Sequence, residues 1–184
     1  MGSDSLGGTR SPRPVEWHAV FRNANDFSFV PPLEAAFDEL LRELDDLGDA
    51  AFRPSPDSLT RATNGYDERG WLYYDLVGGP DAAANSAHCP VASRVCAAVP
   101  GLVNAGFSLL RPGTHLYPHR GELAGVLRCH LALLVPTGDA GLGLGTNRKR
   151  WEAGRCLVFD DTHEHEAWNH GDTDRVVLLL TFRP

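Results

Sequence analysis

LRCHLALLV, residues 127–135, is a short apolar segment in which two polar side chains alternate with apolar ones. A segment of this length and composition predicts a β-strand. On a strand, Arg128 and His130 point to one face and their apolar neighbours to the other. A buried arginine and histidine cost free energy unless they bind an anion or pair with acidic groups. The segment therefore predicts either a strand with a functional face or an edge strand carrying surface ion pairs.

Four other segments are short, apolar and bounded by Gly, Pro, Asp or Asn. They are residues 71–77, 103–110, 156–160 and 175–182. All four predict strands, and from residue 102 onward no helical pattern separates them. This arrangement favours an antiparallel sandwich or jelly roll over an α/β fold.

The N-terminal part differs in pattern. Residues 1–14 are rich in Gly, Ser, Pro and Arg, which predicts a disordered tail. Apolar residues then recur every three or four positions from 32 to 47, between a proline pair and Gly48, and predict a helix. A second short helix is predicted at 91–99. We therefore expect a single domain over residues 15–184, mainly β, with N-terminal helices packed on the sandwich.

Composition narrows the class of function. A net charge of −7 provides no basic surface for nucleic acid. The four cysteines form no C-x-x-C pair, and no secretory signal precedes them, which predicts reduced thiols in a cytoplasmic protein. No apolar run approaches the roughly 20 residues of a membrane span, so no membrane partner is expected.

Six of the eight histidines fall between residues 115 and 170, in two polar segments and one strand. The polar segments are PGTHLYPHRG at 112–121 and FDDTHEHEAWNH at 159–170. Imidazole is a common ligand of iron and zinc, but surface loops of this composition are also common. His165 and His170 are five residues apart, which misses the H-E-x-x-H spacing of zinc proteases. A metal site and two charged loops both fit these segments.

The glycine-rich segment GLGLG at 141–145 does not have the spacing of a nucleotide-binding loop, and no helical pattern follows it. It is interpreted here as a flexible hairpin loop. Ser108 lacks the G-x-S-x-G context of a serine hydrolase.

Taken together, the segments resemble the aspartyl/asparaginyl β-hydroxylase family. The resemblance covers about residues 65–184, and its motifs stand in the family's order. They include the pattern N-x-x-x-x-x-G-W-L-Y-Y at 64–74, with changed spacing, and C-P at 89–90. The main motifs are FSLLRPGTHLYPHRG at 107–121, LRCHLALLVP at 127–136, WEAG at 151–154, FDDTHEHEAWN at 159–169 and RVVLLL at 175–180. The resemblance implies a double-stranded β-helix, in agreement with the strand pattern.

The resemblance also implies a metal site. By position, His119 and His165 match the family's two iron(II) ligands. Many related oxygenases add a carboxylate two residues after the first histidine. Gly121 occupies that place here, as a glycine does in the animal β-hydroxylases.

Four further residues match positions that bind the cosubstrate or the substrate. Arg175, assisted by Ser108, matches the arginine that holds the distal carboxylate of 2-oxoglutarate. His130 matches a histidine beside the cosubstrate carboxylate at the metal, and Arg128 an arginine near the substrate carboxylate. The animal enzymes have another arginine where Val126 stands. We therefore expect Val126 to form an apolar wall, and the substrate to carry a carboxylate or an equivalent acceptor close to the oxidised carbon.

The implied activity is that of an iron(II)- and 2-oxoglutarate-dependent hydroxylase, which uses O2 and releases succinate and CO2. The expected substrate is a free amino acid or an amino-acyl or peptidyl group. Two alternatives remain open. A two-histidine iron leaves room for chloride, as in a halogenase. The chain could also be a non-catalytic metal-binding β-sandwich that senses a ligand.

Overall fold

The computed structural model describes residues 20–55 and 70–184. The predicted tail at 1–14, and Asn64 of the first motif, lie outside these residues. The division of the chain into a tail and one domain from residue 15 stays a prediction.

The described residues form short helices in the N-terminal half and strands throughout. The helices are α1 (Val30–Ala35), α2 (Phe37–Leu47), α3 (Ala82–His88) and α4 (Pro90–Ala97), with 3-10 turns at Ala24–Asp26 and Asp49–Ala51. The strands are β1 (Phe21–Arg22), β2 (Arg53–Pro54), β3 (Trp71–Val77), β4 (Leu102–Leu110), β5 (Thr114–His119), β6 (Leu127–Leu134), β7 (Ala140–Leu144), β8 (Asn147–Lys149), β9 (Cys156–Phe159), β10 (His165–Asn169) and β11 (Arg175–Phe182).

The strands make two sheets. The major sheet has the order β1-β9-β6-β11-β4-β3-β2, the minor sheet has the order β5-β10-β7-β8, and all neighbours are antiparallel. Side chains of both sheets share one apolar cluster, so the sheets face each other. This is a double-stranded β-helix, or jelly roll, and the predicted fold class is confirmed. The five predicted strands are β3, β4, β6, β9 and β11 of the major sheet.

The apolar character of these five strands has a physical cause. One face of the major sheet packs against the helices, where Leu33 and Leu40 belong to the same buried cluster as Phe107 and Leu131. The other face packs against the minor sheet. A strand covered on both faces has few polar positions, and all eight residues of β11 are buried.

Two predicted elements differ from the structure. The helix expected at 32–47 is interrupted at Ala36, whose φ of −83° and ψ of 3° separate α1 from α2. The hairpin-loop interpretation of GLGLG is wrong, because the segment forms β7. Its leucines point into the core, and its glycines lie against β10. A side chain at Gly141 would press on the Trp168 ring at 2.7 Å, so only glycine permits this contact.

All four cysteines are buried free thiols. Among the described residues, no helix is long and apolar enough to cross a membrane.

Candidate metal centre and the surrounding cavity

A cavity of about 430 Å³ opens between the two sheets. Its volume is in the range of small-molecule sites. All six residues that the sequence assigns to a site contribute to its wall: Ser108, His119, Arg128, His130, His165 and Arg175. These six residues come from five strands of both sheets and are brought to one space.

His119 and His165 face each other across β5 and β10, with ring centroids 4.2 Å apart. A β-bulge makes this possible. Leu116 lies opposite Ala167 while His119 lies opposite His165, so β5 has one more residue than β10 between the two pairs. The extra residue reverses the alternation of β5, and His119 turns inward although it is three positions from the inward-facing Leu116.

Both imidazoles are oriented in the same way. Nδ1 of His119 donates to the carbonyl oxygen of Tyr117 at 2.7 Å, and Nδ1 of His165 donates to that of His163 at 2.9 Å. A carbonyl can only accept, so each Nδ1 carries a proton, and in the neutral ring Nε2 is the nitrogen that can bind a metal. Burial, followed by the nearby His119, lowers the pKa of His165 to about 4. His165 is therefore neutral near pH 7, as a metal ligand must be.

Asp161 lies beside this pair, and sequence reasoning missed it. The N–H of Gly121 donates to the Asp161 carbonyl at 2.7 Å, and a side chain at Gly121 would overlap the Asp161 carboxylate. Asp161 is 2% exposed, and its Oδ1 has no hydrogen-bond partner. Its only signal in the sequence is an acidic pair directly after strand β9. Nothing in the sequence indicates the approach to Gly121, which lies forty residues earlier.

Arg175 is a buried cation, 2% exposed. Its guanidinium carbon lies 4.7 Å from the centre of the Trp151 ring, and one terminal nitrogen donates to the Ser108 carbonyl at 3.4 Å. The Ser108 hydroxyl accepts from Nε1 of Trp71 at 3.0 Å. Within residues 20–55 and 70–184, no carboxylate pairs with Arg175, and burial lowers its pKa to about 9. Because an unpaired buried charge costs free energy, this end of the cavity suits an anion.

His130 is buried between aromatic rings, 5.0 Å from Phe159 and 6.3 Å from Trp151 between centroids. Burial, and then the positive charge of Arg175, lower its pKa well below the ordinary value. Its Nδ1 has no hydrogen-bond partner. The ring is thus a neutral imidazole with one nitrogen available to a ligand.

β6 lies between β9 and β11 in the major sheet, so the alternative of an edge strand with surface ion pairs is wrong. Arg128 on this strand lines the cavity and pairs with a buried acid. Its Nε donates to Oδ2 of Asp161 at 2.6 Å, and its Nη1 donates to Oγ1 of Thr181 at 2.6 Å. Val126 is buried but is not among the residues that line the cavity. The expected apolar wall at Val126 is therefore wrong.

The donor set fits iron(II) with an organic dianion. Two imidazoles that present Nε2 to the same space suit iron(II), and the buried Arg175 suits a carboxylate. Three buried polar atoms around the cavity lack partners, namely Nδ1 of His130, Oδ1 of Asp161 and Nε of Arg175. A buried polar atom without a partner costs free energy unless a ligand or a water molecule forms a hydrogen bond with it. In the part of the chain that the structure describes, no group of three or more His, Cys, Asp or Glu side chains could hold a metal ion.

A double-stranded β-helix with two inward-facing histidines defines a β-barrel protein of the jelly-roll class. Residues 34–184 match the model of the family described as aspartyl/asparaginyl beta-hydroxylase. The chain belongs to that family.

Two curated relatives show how far the similarity extends. An ornithine lipid ester-linked acyl 2-hydroxylase from Rhizobium tropici is 43% identical over 115 residues, which cover 61% of this chain and 41% of that protein. The aspartyl/asparaginyl beta-hydroxylase of Mus musculus is 25% identical over 201 residues, covering 95% of this chain and 26% of that one. The matches thus span less than half the length of either relative.

Among solved structures, a cupin domain of an XRE-family transcriptional regulator from Enterobacter cloacae superposes with a TM-score of 0.43 at 12% identity. The match covers 62% of this chain and 98% of that one. A similarity of this size adds nothing to the description of the fold, which rests on the strand order.

Proposed function

We propose that the chain is an iron(II)- and 2-oxoglutarate-dependent hydroxylase, with His119 and His165 as its protein ligands to iron. The observation that carries the proposal is Arg175, a buried cation without a carboxylate partner among the described residues, in the same cavity as the histidine pair. A cosubstrate that is a dianion would satisfy this charge. The hydroxylase names of both relatives support the proposal.

The residues of the chain have distinct tasks in this proposal. His119 and His165 each offer Nε2 to iron(II), because Nδ1 is held by a backbone carbonyl. Arg175 binds the distal carboxylate of 2-oxoglutarate, and the Trp151 ring shields the guanidinium from water. The chemistry that bound iron(II) supplies is activation of O2, coupled to oxidation of 2-oxoglutarate to succinate and CO2 and to hydroxylation of an unactivated carbon.

His130 and Ser108 complete the cosubstrate site in the proposal. The free Nδ1 of His130 can hydrogen-bond to the cosubstrate carboxylate near the metal. The Ser108 hydroxyl is held by Trp71, which leaves its own proton free to donate to the distal carboxylate.

The proposed substrate is an amino acid, or an amino-acyl or peptidyl group. The 43% identity to the Rhizobium protein favours a second candidate, the acyl chain of an ester. The two candidates share one chemical feature. The β-carbon of an aspartyl or asparaginyl residue and carbon 2 of an acyl chain are both bonded to a carbonyl carbon.

Hydroxylation is favoured over halogenation by the place of Asp161. Its carboxylate fills the space next to Gly121, where the missing protein ligand would otherwise leave room for chloride. A chloride ion there would lie beside the buried Asp161 carboxylate, and two neighbouring negative charges in a buried place repel each other. A non-catalytic ligand sensor remains the alternative from another class.

The deciding experiment measures succinate formation from 2-oxoglutarate by the iron-loaded protein under O2. Free amino acids, aspartyl and asparaginyl peptides and acyl esters serve as candidate substrates. Mass spectrometry then distinguishes a gain of one oxygen from a gain of chlorine. His165→Ala sets the background, and His163→Ala is the matched control. If wild type forms no more succinate than His165→Ala with every candidate, the chain is not a hydroxylase of these classes and the sensor is preferred.

A further inference from the structure

Arg128 already has a carboxylate partner inside the cavity wall. Its Nε lies 2.6 Å from Oδ2 of Asp161, whose side chain is 3% exposed, and its Nη1 is bonded to Thr181. A close pair with one partner this deeply buried acts as a neutral unit toward a third group. Arg128 is therefore not an unpaired positive charge that would attract an anionic substrate.

The Asp161 carboxylate would also repel an anionic substrate group. Its Oδ1 has no partner, so part of the negative charge stays uncompensated at the cavity wall. A substrate carboxylate drawn to Arg128 would come close to this oxygen. Two carboxylates in a partly dry space repel each other, and one of them must take up a proton or move away.

The charges of the described cavity wall balance without a charged substrate. Iron(II) is a dication and 2-oxoglutarate a dianion, so together they add no net charge. Among the described residues, the charged side chains of the wall, histidines apart, are three arginines and three carboxylates: Arg120, Arg128, Arg175, Asp75, Glu122 and Asp161. A carboxylate added by the substrate would leave an excess of negative charge.

The cavity nevertheless has donors for a neutral acceptor at this place. In the described part of the chain, Nη2 of Arg128 has no hydrogen-bond partner, while Nε and Nη1 are engaged. Asn104, opposite Thr181 in the strand register, adds an amide to the same wall. Both groups can donate to a carbonyl oxygen.

We propose that the substrate group recognised by Arg128 is a neutral carbonyl, of an amide or an ester, next to the carbon that is oxidised. Of the two options expected for the substrate, a carboxylate or an equivalent acceptor, this proposal selects the neutral acceptor. It rests on the proposed function, because it assumes that iron(II) and 2-oxoglutarate occupy the other end of the cavity.

The test compares matched acid and neutral probes. Protein loaded with Mn(II) and 2-oxoglutarate, without O2, is titrated calorimetrically with N-acetyl-aspartate amide and N-acetyl-asparagine amide, and with hexanoate and methyl hexanoate. The neutral member of at least one pair should bind about tenfold or more tightly than its acid partner, a difference typical of one charged contact. The pair that shows the preference identifies the source of the carbonyl, amide or ester.

Asp161→Asn should remove most of this preference. Without the carboxylate, Arg128 becomes a free cation, and the acid member of each pair should gain about tenfold relative to the neutral one. Asp160→Asn is the matched control, because Asp160 bonds to Thr162 and is not among the residues that line the cavity. The comparison in wild type needs no variant and stands even if Asp161→Asn folds poorly.

Three results would overturn the inference: tighter binding of the acid members by wild type, binding of neither neutral probe up to its solubility limit, or an unchanged ratio in folded Asp161→Asn. Binding of 2-oxoglutarate is measured on the same samples. Its absence counts against the proposed function, whereas retained 2-oxoglutarate binding with an acid preference counts against the neutral carbonyl alone.

Discussion

Gly121 donates its backbone N–H to the Asp161 carbonyl at 2.7 Å, and the Asp161 carboxylate fills the space that a side chain at position 121 would need. The position where related oxygenases place a third metal ligand is thus closed to any side chain. Packing, as well as residue choice, accounts for the absence of a carboxylate two residues after His119.

Gly121→Ala should therefore destabilise the protein by about 1–3 kcal/mol, the usual cost of overpacking a buried site. Urea unfolding of the metal-free protein measures the change. In a double-mutant cycle with Asp161→Gly, most of the Gly121→Ala penalty should disappear because the overlap is gone. Additive effects of the two substitutions would mean that Gly121 and Asp161 do not compete for the same space.

His119→Ala and His165→Ala should each abolish measurable iron(II) binding, because residues 20–55 and 70–184 place no third ligating side chain beside the pair to replace a lost ligand. Calorimetric titration with iron(II) under anaerobic conditions checks this. His163→Ala and His170→Ala are the controls and should bind iron(II) normally. His163 contacts His165 through its backbone carbonyl, which alanine retains, and His170 contacts Asp139 away from the cavity. Normal iron(II) binding by either alanine variant of the pair would refute the assignment.

Arg175→Met should weaken 2-oxoglutarate binding about ten- to a hundredfold, since a guanidinium–carboxylate contact in a partly dry pocket contributes about 1.5–3 kcal/mol. The ligand-free variant should be as stable as wild type or more so, because a buried unpaired cation is removed. Arg94→Met, at an exposed ion pair with Glu39, is the control and should leave 2-oxoglutarate binding unchanged. Unchanged 2-oxoglutarate binding in Arg175→Met would assign the anchor to another group.

The metal-free protein should lose stability between pH 7 and pH 5 partly through His165. Its pKa is about 4 when folded against about 6.5 when unfolded, so on acidification the unfolded chain takes up the proton first. The stabilisation is complete above pH 6.5 and is lost as the pH falls toward 4. Its loss by pH 5 is about 2 kcal/mol. Unfolding by urea at both pH values should show a smaller decrease in His165→Gln, and equal decreases would place His165 in a more solvated setting.

Much of the major sheet could be predicted from the sequence. Strands such as β11 and β6 are covered on both faces, so their residues are apolar almost without interruption and the segments stand out from their surroundings. The inward face shared by Arg128 and His130 follows from simple alternation, and the structure places both at the cavity. The periodic pattern of the sequence does not distinguish His119 and His165 from the other four histidines of the C-terminal half. The resemblance to the hydroxylase family does.

The minor sheet could not be predicted in this way: the sequence pattern predicts none of its four strands, and GLGLG of β7 is interpreted from it as a hairpin loop. The outer face of the minor sheet carries glycines, a histidine and charged residues, so the apolar signal is halved, and in β7 the glycines make room for Trp168 and Glu166 of β10. The bulge that turns His119 inward breaks the two-residue alternation from which strands are predicted.

The sequence by itself determined a β-sandwich of apolar strands and the residue types of its site, because burial and alternation produce a periodic pattern of apolar residues along the chain. Only the tertiary structure decided that Asp161 occupies the space beside Gly121 and neutralises Arg128. These contacts join residues that are thirty to forty positions apart and depend on how closely two loops approach. No local pattern encodes a distance of that kind, so the pairing of Arg128 at the cavity wall could be assigned only from the folded structure.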